Sequence, residues 1–186
     1  MLDTLTNTTN VHPLSSPPEQ TGNQLFLPVY SKKQSYSLER IDKERVWRHS
    51  TTARYNLTNS ETVKTHRIRA KNGQDILQLC KFGSMEDTRL SLVYVVGNNL
   101  YWREDGLLDD PSKDIQITSD GVPGIVFNGI PDWVYEEEVL FSASAFYVSN
   151  DKIAYAQFND SKVPEFKYPH FGNPNQTQDF KYPLYK

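Results

Sequence analysis

The sequence predicts an all-β protein, on three observations. No segment of helical length carries a convincing apolar stripe. The 11 prolines and 9 glycines are scattered along the chain, as in short strands joined by turns. Two stretches of similar design, residues 76–102 and 141–158, each place an apolar strand before a polar turn and a Tyr-bearing strand. Their separation of roughly 50–60 residues fits blades of a β-propeller with a long insertion. An antiparallel sandwich explains the same strands almost as well.

The elements follow in order. Residues 1–24, rich in Thr, Asn, Ser and Pro, read as a disordered leader. Residues 25–30 form an apolar stretch interrupted by Pro28. Residues 45–57 alternate loosely around Val46, Trp47, Ala53 and Tyr55, with a turn-like run at 56–60. Residues 76–82 read as a strand, and 90–96, Leu-Ser-Leu-Val-Tyr-Val-Val, as a strong one. Gly97-Asn98-Asn99 is a hairpin turn signal, returning through Leu100-Tyr101-Trp102. A polar loop at 104–113 precedes a short strand at 114–118. Residues 125–129 lead into an acidic segment, and 141–148 and 153–158 flank the Ser149-Asn150-Asp151 turn. The Tyr-, Phe- and Pro-rich stretch 164–186 is read as extended.

Composition limits the function. At 186 residues the chain suits one domain or a piece of a larger one. A net charge of −3 without a basic stripe argues against nucleic acid. Cys80 is the one cysteine, so no disulfide forms within the chain, and its apolar neighbours suggest a buried thiol. The N-terminal residues contain no apolar core of signal-peptide length and no membrane span. Sequons at Asn7, Asn56, Asn159 and Asn175 lean towards an exported protein.

Chemistry concentrates at residues 131–140, Pro-Asp-Trp-Val-Tyr-Glu-Glu-Glu-Val-Leu. Consecutive glutamates on a strand would point to opposite faces. On a helical turn neighbours lie about 100° apart, so two can converge on one cation. Asp132 is a candidate N-cap for that turn. A solvated acidic helix face is the competing reading of a bare glutamate run.

Asp132-Trp133-Val134-Tyr135-Glu136-Glu137-Glu138-Val139 closely resembles the glutamate-bearing segment of the N-terminal β-propeller in the dipeptidyl peptidase IV family. Phe127-Asn128-Gly129-Ile130 before it, residues 153–164 after it, and Val46-Trp47-Arg48-His49-Ser50 upstream look like segments of the same propeller. The resemblance runs from about residue 36 to residue 186. It implies about three to four blades of a seven- or eight-bladed propeller over residues 25–186. It implies a prolyl oligopeptidase-type serine peptidase, secreted or anchored in the plasma membrane as a type II protein, that removes N-terminal dipeptides. Glu137 and Glu138 then match the pair that holds the substrate's α-ammonium, and Arg48 the arginine that approaches its carbonyl. Glu136 is expected to face away from the ligand, and Trp47 and Trp133 to serve packing.

The chemistry of hydrolysis is not in this chain. No Gly-x-Ser-x-Gly occurs, and none of His12, His49, His66 and His170 accompanies a nucleophile signature. No metal-ligand spacing or phosphate loop is present, and no cofactor is implied. The resemblance therefore implies an α/β-hydrolase domain following this one, a possible homodimer, and no hydrolysis by this chain alone. An incomplete propeller would leave two unpaired sheet edges and poor solubility. Two other readings remain open. One is the propeller of a catalytically inactive relative that acts as a potassium-channel auxiliary subunit; the other is a free-standing adhesion or peptide-binding module.

Overall fold

The computed structural model describes residues 28–84, 90–149, 152–169 and 177–181. The expected leader and the sequons at Asn7 and Asn175 lie outside these residues. Strands β1 (Val29–Tyr30), β2 (Tyr36–Arg45), β3 (Thr51–Asn59) and β4 (Thr65–Ile68) form one antiparallel sheet in the order β1-β2-β3-β4. Strands β5 (Leu79–Ser84), β6 (Ser91–Val96), β7 (Asn99–Arg103) and β8 (Ile115–Gln116) form a second, in the order β5-β6-β7-β8. Each is a four-stranded meander, the repeating unit of a propeller. The fold is all-β, a partial propeller with two complete blades among the described residues. Beyond them, β9 (Val126–Asn128) pairs with β12 (Gln157–Asn159), β10 (Phe146–Ser149) with β11 (Lys152–Tyr155), and β13 (Glu165–Pro169) with β14 (Thr177–Lys181).

Several boundaries differ from the sequence reading. β2 hides behind the charged sequence Glu39-Arg40-Ile41-Asp42-Lys43-Glu44-Arg45, whose last residues face solvent. A bulge lies between Ile41 and Glu44, with Asp42 at φ 49°. Val46 to Ser50 is a loop rather than a strand, closed by the Val46 amide donating to the Ser50 carbonyl at 3.1 Å. β3 runs through Asn59, past the expected turn at 56–60. The chain turns after it, where Asn59 Oδ1 accepts the Glu61 amide at 2.9 Å and the Thr62 amide at 2.8 Å. Residues 141–145 lie outside any strand, so the second hairpin begins only at Phe146. Its return breaks at Ala156, and the continuation as β12 joins a different partner.

The β6–β7 turn places Gly97 at φ 57° and Asn98 at φ 59°, the two left-handed residues of a tight hairpin. All six residues of β6 are buried. Leu92, Tyr94 and Val96 enter a core shared with Leu38, Tyr55, Leu57 and Ile68 of the first sheet. Val93 and Val95 enter another with Leu100, Phe127 and Phe158. Alternation on one strand thus feeds both layers. Cys80 lies in the first core, and burial pushes its thiol up to about 12.

The second sheet also buries an ion pair. Arg103 donates to Asp114 Oδ1 at 2.8 Å and Oδ2 at 2.7 Å, and Tyr94 adds its hydroxyl to Oδ2 at 2.7 Å. Arg103 further donates to the Arg69 carbonyl at 2.6 Å, which fastens the segment after β4 to β7.

Candidate functional site

The acidic segment is a helical turn whose start is set by Asp132. Its Oδ1 accepts the Tyr135 amide at 2.8 Å and its carbonyl accepts the Glu136 amide at 2.9 Å. Asp132 is buried, and burial raises its carboxyl above the ordinary range despite opposing hydrogen bonds with the Tyr135 amide, the Asp160 side chain and the Val134 amide. Val134 is buried, and the Tyr135 ring packs on Phe158 at 4.7 Å. From Tyr135 to Leu140 the turn widens to π-helical geometry, a form that often marks functional positions. It ends at Phe141, held at φ 49°.

The three glutamates then take three different environments. Glu136 is fully buried, and its Oε1 accepts the amides of His49 at 2.7 Å and Ser50 at 3.0 Å. Glu137 is 7% exposed; its Oε1 accepts the Arg48 amide at 3.2 Å, and its Oε2 lies 2.9 Å from Arg48 Nε. That second contact is coulombic, for Oε2 receives no directed hydrogen bond among the described residues. Glu138 is exposed, and its carboxylate makes no hydrogen bond or ion pair among the described residues.

The turn thus grips the loop between β2 and β3 by three successive amides, those of Arg48, His49 and Ser50. A loop at the charged end of β2 has no reason in its own sequence to hold one shape. The carboxylates supply that reason, since amides bonded to an ionised acceptor form the stronger kind of hydrogen bond. Trp47 packs its ring 6.2 Å from Phe127 and secures the other side of the loop. The Arg48 side chain remains 68% exposed, so its guanidinium stands at the surface beside a sheltered carboxylate.

Of the residues singled out by sequence, Arg48 and Glu137 come together, while Glu138 stays at the surface. Glu136 does face inward, but it has a task the sequence did not reveal. Its amide donors lie 87 and 86 residues away along the chain, and no local pattern announces them. The run of three glutamates after a cap was the available signal, and it does not say which of them is buried. Asn159 is exposed, and Asn56 is half-buried with its Oδ1 accepting from Arg67 Nε at 2.9 Å. Among the described residues no group of three or more His, Cys, Asp or Glu could hold a metal ion. None of their helices is long and apolar enough to cross a membrane.

Residues 31–185 match the family model described as the dipeptidyl peptidase IV (DPP IV) N-terminal region. The chain is 39% identical over 159 residues to venom dipeptidyl peptidase 4 of Vespula vulgaris, covering 83% of this chain and 19% of that protein. It is 34% identical over 154 residues to inactive dipeptidyl peptidase 10 of Rattus norvegicus, covering 81% and 18%. The crystal structure of Porphyromonas gingivalis dipeptidyl peptidase 4 superposes with a TM-score of 0.65 at 23% identity, covering 84% of this chain and 21% of that one. The chain therefore spans about a fifth of the length of these relatives.

Proposed function

Because the chain belongs to the family of dipeptidyl peptidase IV N-terminal regions, we propose that it is the substrate-recognition part of a serine dipeptidyl peptidase. Glu137 and Glu138 receive the α-ammonium of a peptide, and Arg48 donates to its first backbone carbonyl. The observation that carries this reading is the sheltered Glu137 carboxylate, one of whose oxygens lacks a directed donor while a surface arginine lies 2.9 Å away.

An ammonium has three N–H donors, and each bond to a carboxylate contributes roughly 1.5–3 kcal/mol. Arg48 offsets one of the two glutamate charges, leaving one net negative charge for one ammonium. Fixing the terminus at a set distance from a nucleophile measures out the residues removed, so the recognition site acts as a ruler. The nucleophile belongs to an α/β-hydrolase domain elsewhere in the full-length protein. The setting is secretory or extracellular, as the name of the venom relative suggests for that protein, and a homodimer fits the same reading.

A second reading rests on the relative named inactive dipeptidyl peptidase 10. In it the propeller is kept without hydrolysis and serves as an auxiliary subunit, of a potassium channel in the case the sequence resemblance implies. A Gly-x-Ser-x-Gly elbow in the complete protein separates the two.

The test of recognition is affinity in the complete protein. Glu137→Ala and Glu138→Ala should each weaken a free-amine dipeptide about tenfold or more and leave its N-acetylated form unchanged. Equal losses for both ligands would assign the glutamates a purely structural task.

A further inference from the structure

A cavity of about 200 Å³ lies between the β2–β3 loop, the start of β3 and residues 123–131. Most of its wall is apolar, with Trp47, Phe127, Ile130 and Pro131 prominent. Among the described residues, Glu136 is the one charged residue of the lining. Two polar side chains of the wall are already spent on each other and on the backbone. Gln78 donates to Asn98 Oδ1 at 2.7 Å and accepts the Asn98 amide at 2.8 Å. Asn98 Nδ2 donates to the Val122 carbonyl at 3.0 Å and the Val126 carbonyl at 2.9 Å.

Three other lining residues keep an unspent acceptor. Glu136 Oε2, Ser50 Oγ and Thr51 Oγ1 are buried and have no hydrogen-bond partner among the described residues. Buried polar atoms in folded proteins are satisfied in the great majority of cases, so three orphans on the residues of one cavity wall call for a ligand. The other Glu136 oxygen is held by the His49 and Ser50 amides, which keeps the carboxylate from turning away to find another donor. No Lys, Arg or His of the described residues lines the cavity, and the Arg48 guanidinium lies against Glu137 instead. A fully buried carboxylate without a counter-charge is costly, and the deficit is one positive charge.

We propose that this cavity binds a small primary alkylamine in its ammonium form, its head on Glu136, Ser50 and Thr51 and its apolar body against Phe127 and Ile130. An ammonium brings three N–H donors and no acceptor, which matches three unspent acceptors, one of them charged. The Trp47 and Phe127 rings, 6.2 Å apart and both on the wall, add faces that attract a cation. A cavity of about 150 Å³ holds benzene, so this one suits an amine of about five to seven non-hydrogen atoms and excludes a peptide. A bare metal ion would leave the apolar wall uncovered. The assignment is independent of the peptide-terminus reading and uses neither Glu137 nor Glu138.

Isothermal titration of the complete protein at neutral pH and matched ionic strength tests it, with isobutylamine, isobutanol and tetramethylammonium as ligands. Isobutylamine should bind saturably, and about tenfold or more tighter than the uncharged alcohol or the cation without N–H groups. Thr51→Val keeps the shape of the side chain and removes its acceptor; it should weaken isobutylamine about tenfold and leave isobutanol unchanged. Ser50→Ala should do the same, and decides alone should Thr51→Val fail to fold. An excess of a free-amine dipeptide should leave isobutylamine affinity unaltered. Displacement by the dipeptide would put the amine at Glu137 and Glu138 and overturn the proposal. Equal binding of isobutanol or tetramethylammonium, or isobutylamine affinity unmoved by these substitutions, also overturns it.

Discussion

Glu136 Oε1 accepts the His49 amide at 2.7 Å across 87 residues of chain. The same oxygen takes the Ser50 amide, so one buried carboxylate holds the loop that presents Arg48. Glu136→Ala should leave two donors without a partner, at about 1–3 kcal/mol for each buried group. Glu136→Gln keeps an acceptor oxygen and should lose less than half as much. Urea unfolding of the two variants, with peptide affinity measured alongside, checks this. Peptide affinity should fall with Glu136→Ala and largely return in Glu136→Gln.

Arg48 is tied to Glu137 both by its backbone amide and by its side chain. Arg48→Lys keeps the first tie and the charge but loses the planar fork. Because the guanidinium is mostly exposed, stability should move by less than about 1 kcal/mol. Affinity for a free-amine dipeptide should fall about three- to tenfold. Affinity equal to that of the unaltered protein would remove Arg48 from the ligand site.

Asp132 gives the site a pH dependence of defined sign. Burial raises its folded pKa above the ordinary aspartate value of 3.8, so the fold binds its proton more tightly than the unfolded chain does. Its contribution is most favourable at acid pH, and stability falls as pH rises from about 3.8 through the raised folded value. Asp132→Asn keeps a capping oxygen for the Tyr135 amide and removes the titration of this carboxyl, leaving that of its hydrogen-bond partner Asp160. The difference in unfolding free energy between variant and parent should therefore grow in the variant's favour across that window. A parallel pair of pH–stability curves would contradict it.

The Arg103–Asp114 pair should behave as a buried unit. Both side chains are almost wholly inaccessible, at 4% and 1%. Removing one partner strands the other charge, and Arg103→Met should cost about 3–5 kcal/mol. The double replacement Arg103→Met with Asp114→Leu should recover much of that loss. A double-mutant cycle in denaturant measures the coupling.

Much of the architecture could be read from the chain, and the reasons are local. β6 announces itself by six apolar or small residues in succession, and Gly97-Asn98 fixes its return because both residues must take positive φ. The helical turn followed from Asp132 and the glutamates behind it, although its π form did not. β2 escaped because a strand at the surface of a blade can be charged along half its length. That Arg48 lies beside Glu137 could be anticipated only through the family resemblance, for 89 residues separate them. The burial of Glu136 was illegible for the same reason, since its partners are backbone amides, which carry no side-chain signature.

β6 has no face turned to water, and the two layers on either side of it draw on the same backbone. Neither of these two seams can loosen while the other stays closed, because separating one strips cover from a strand that the other requires. The two seams should melt as one cooperative event, with amide protons in β6 the last to exchange with heavy water.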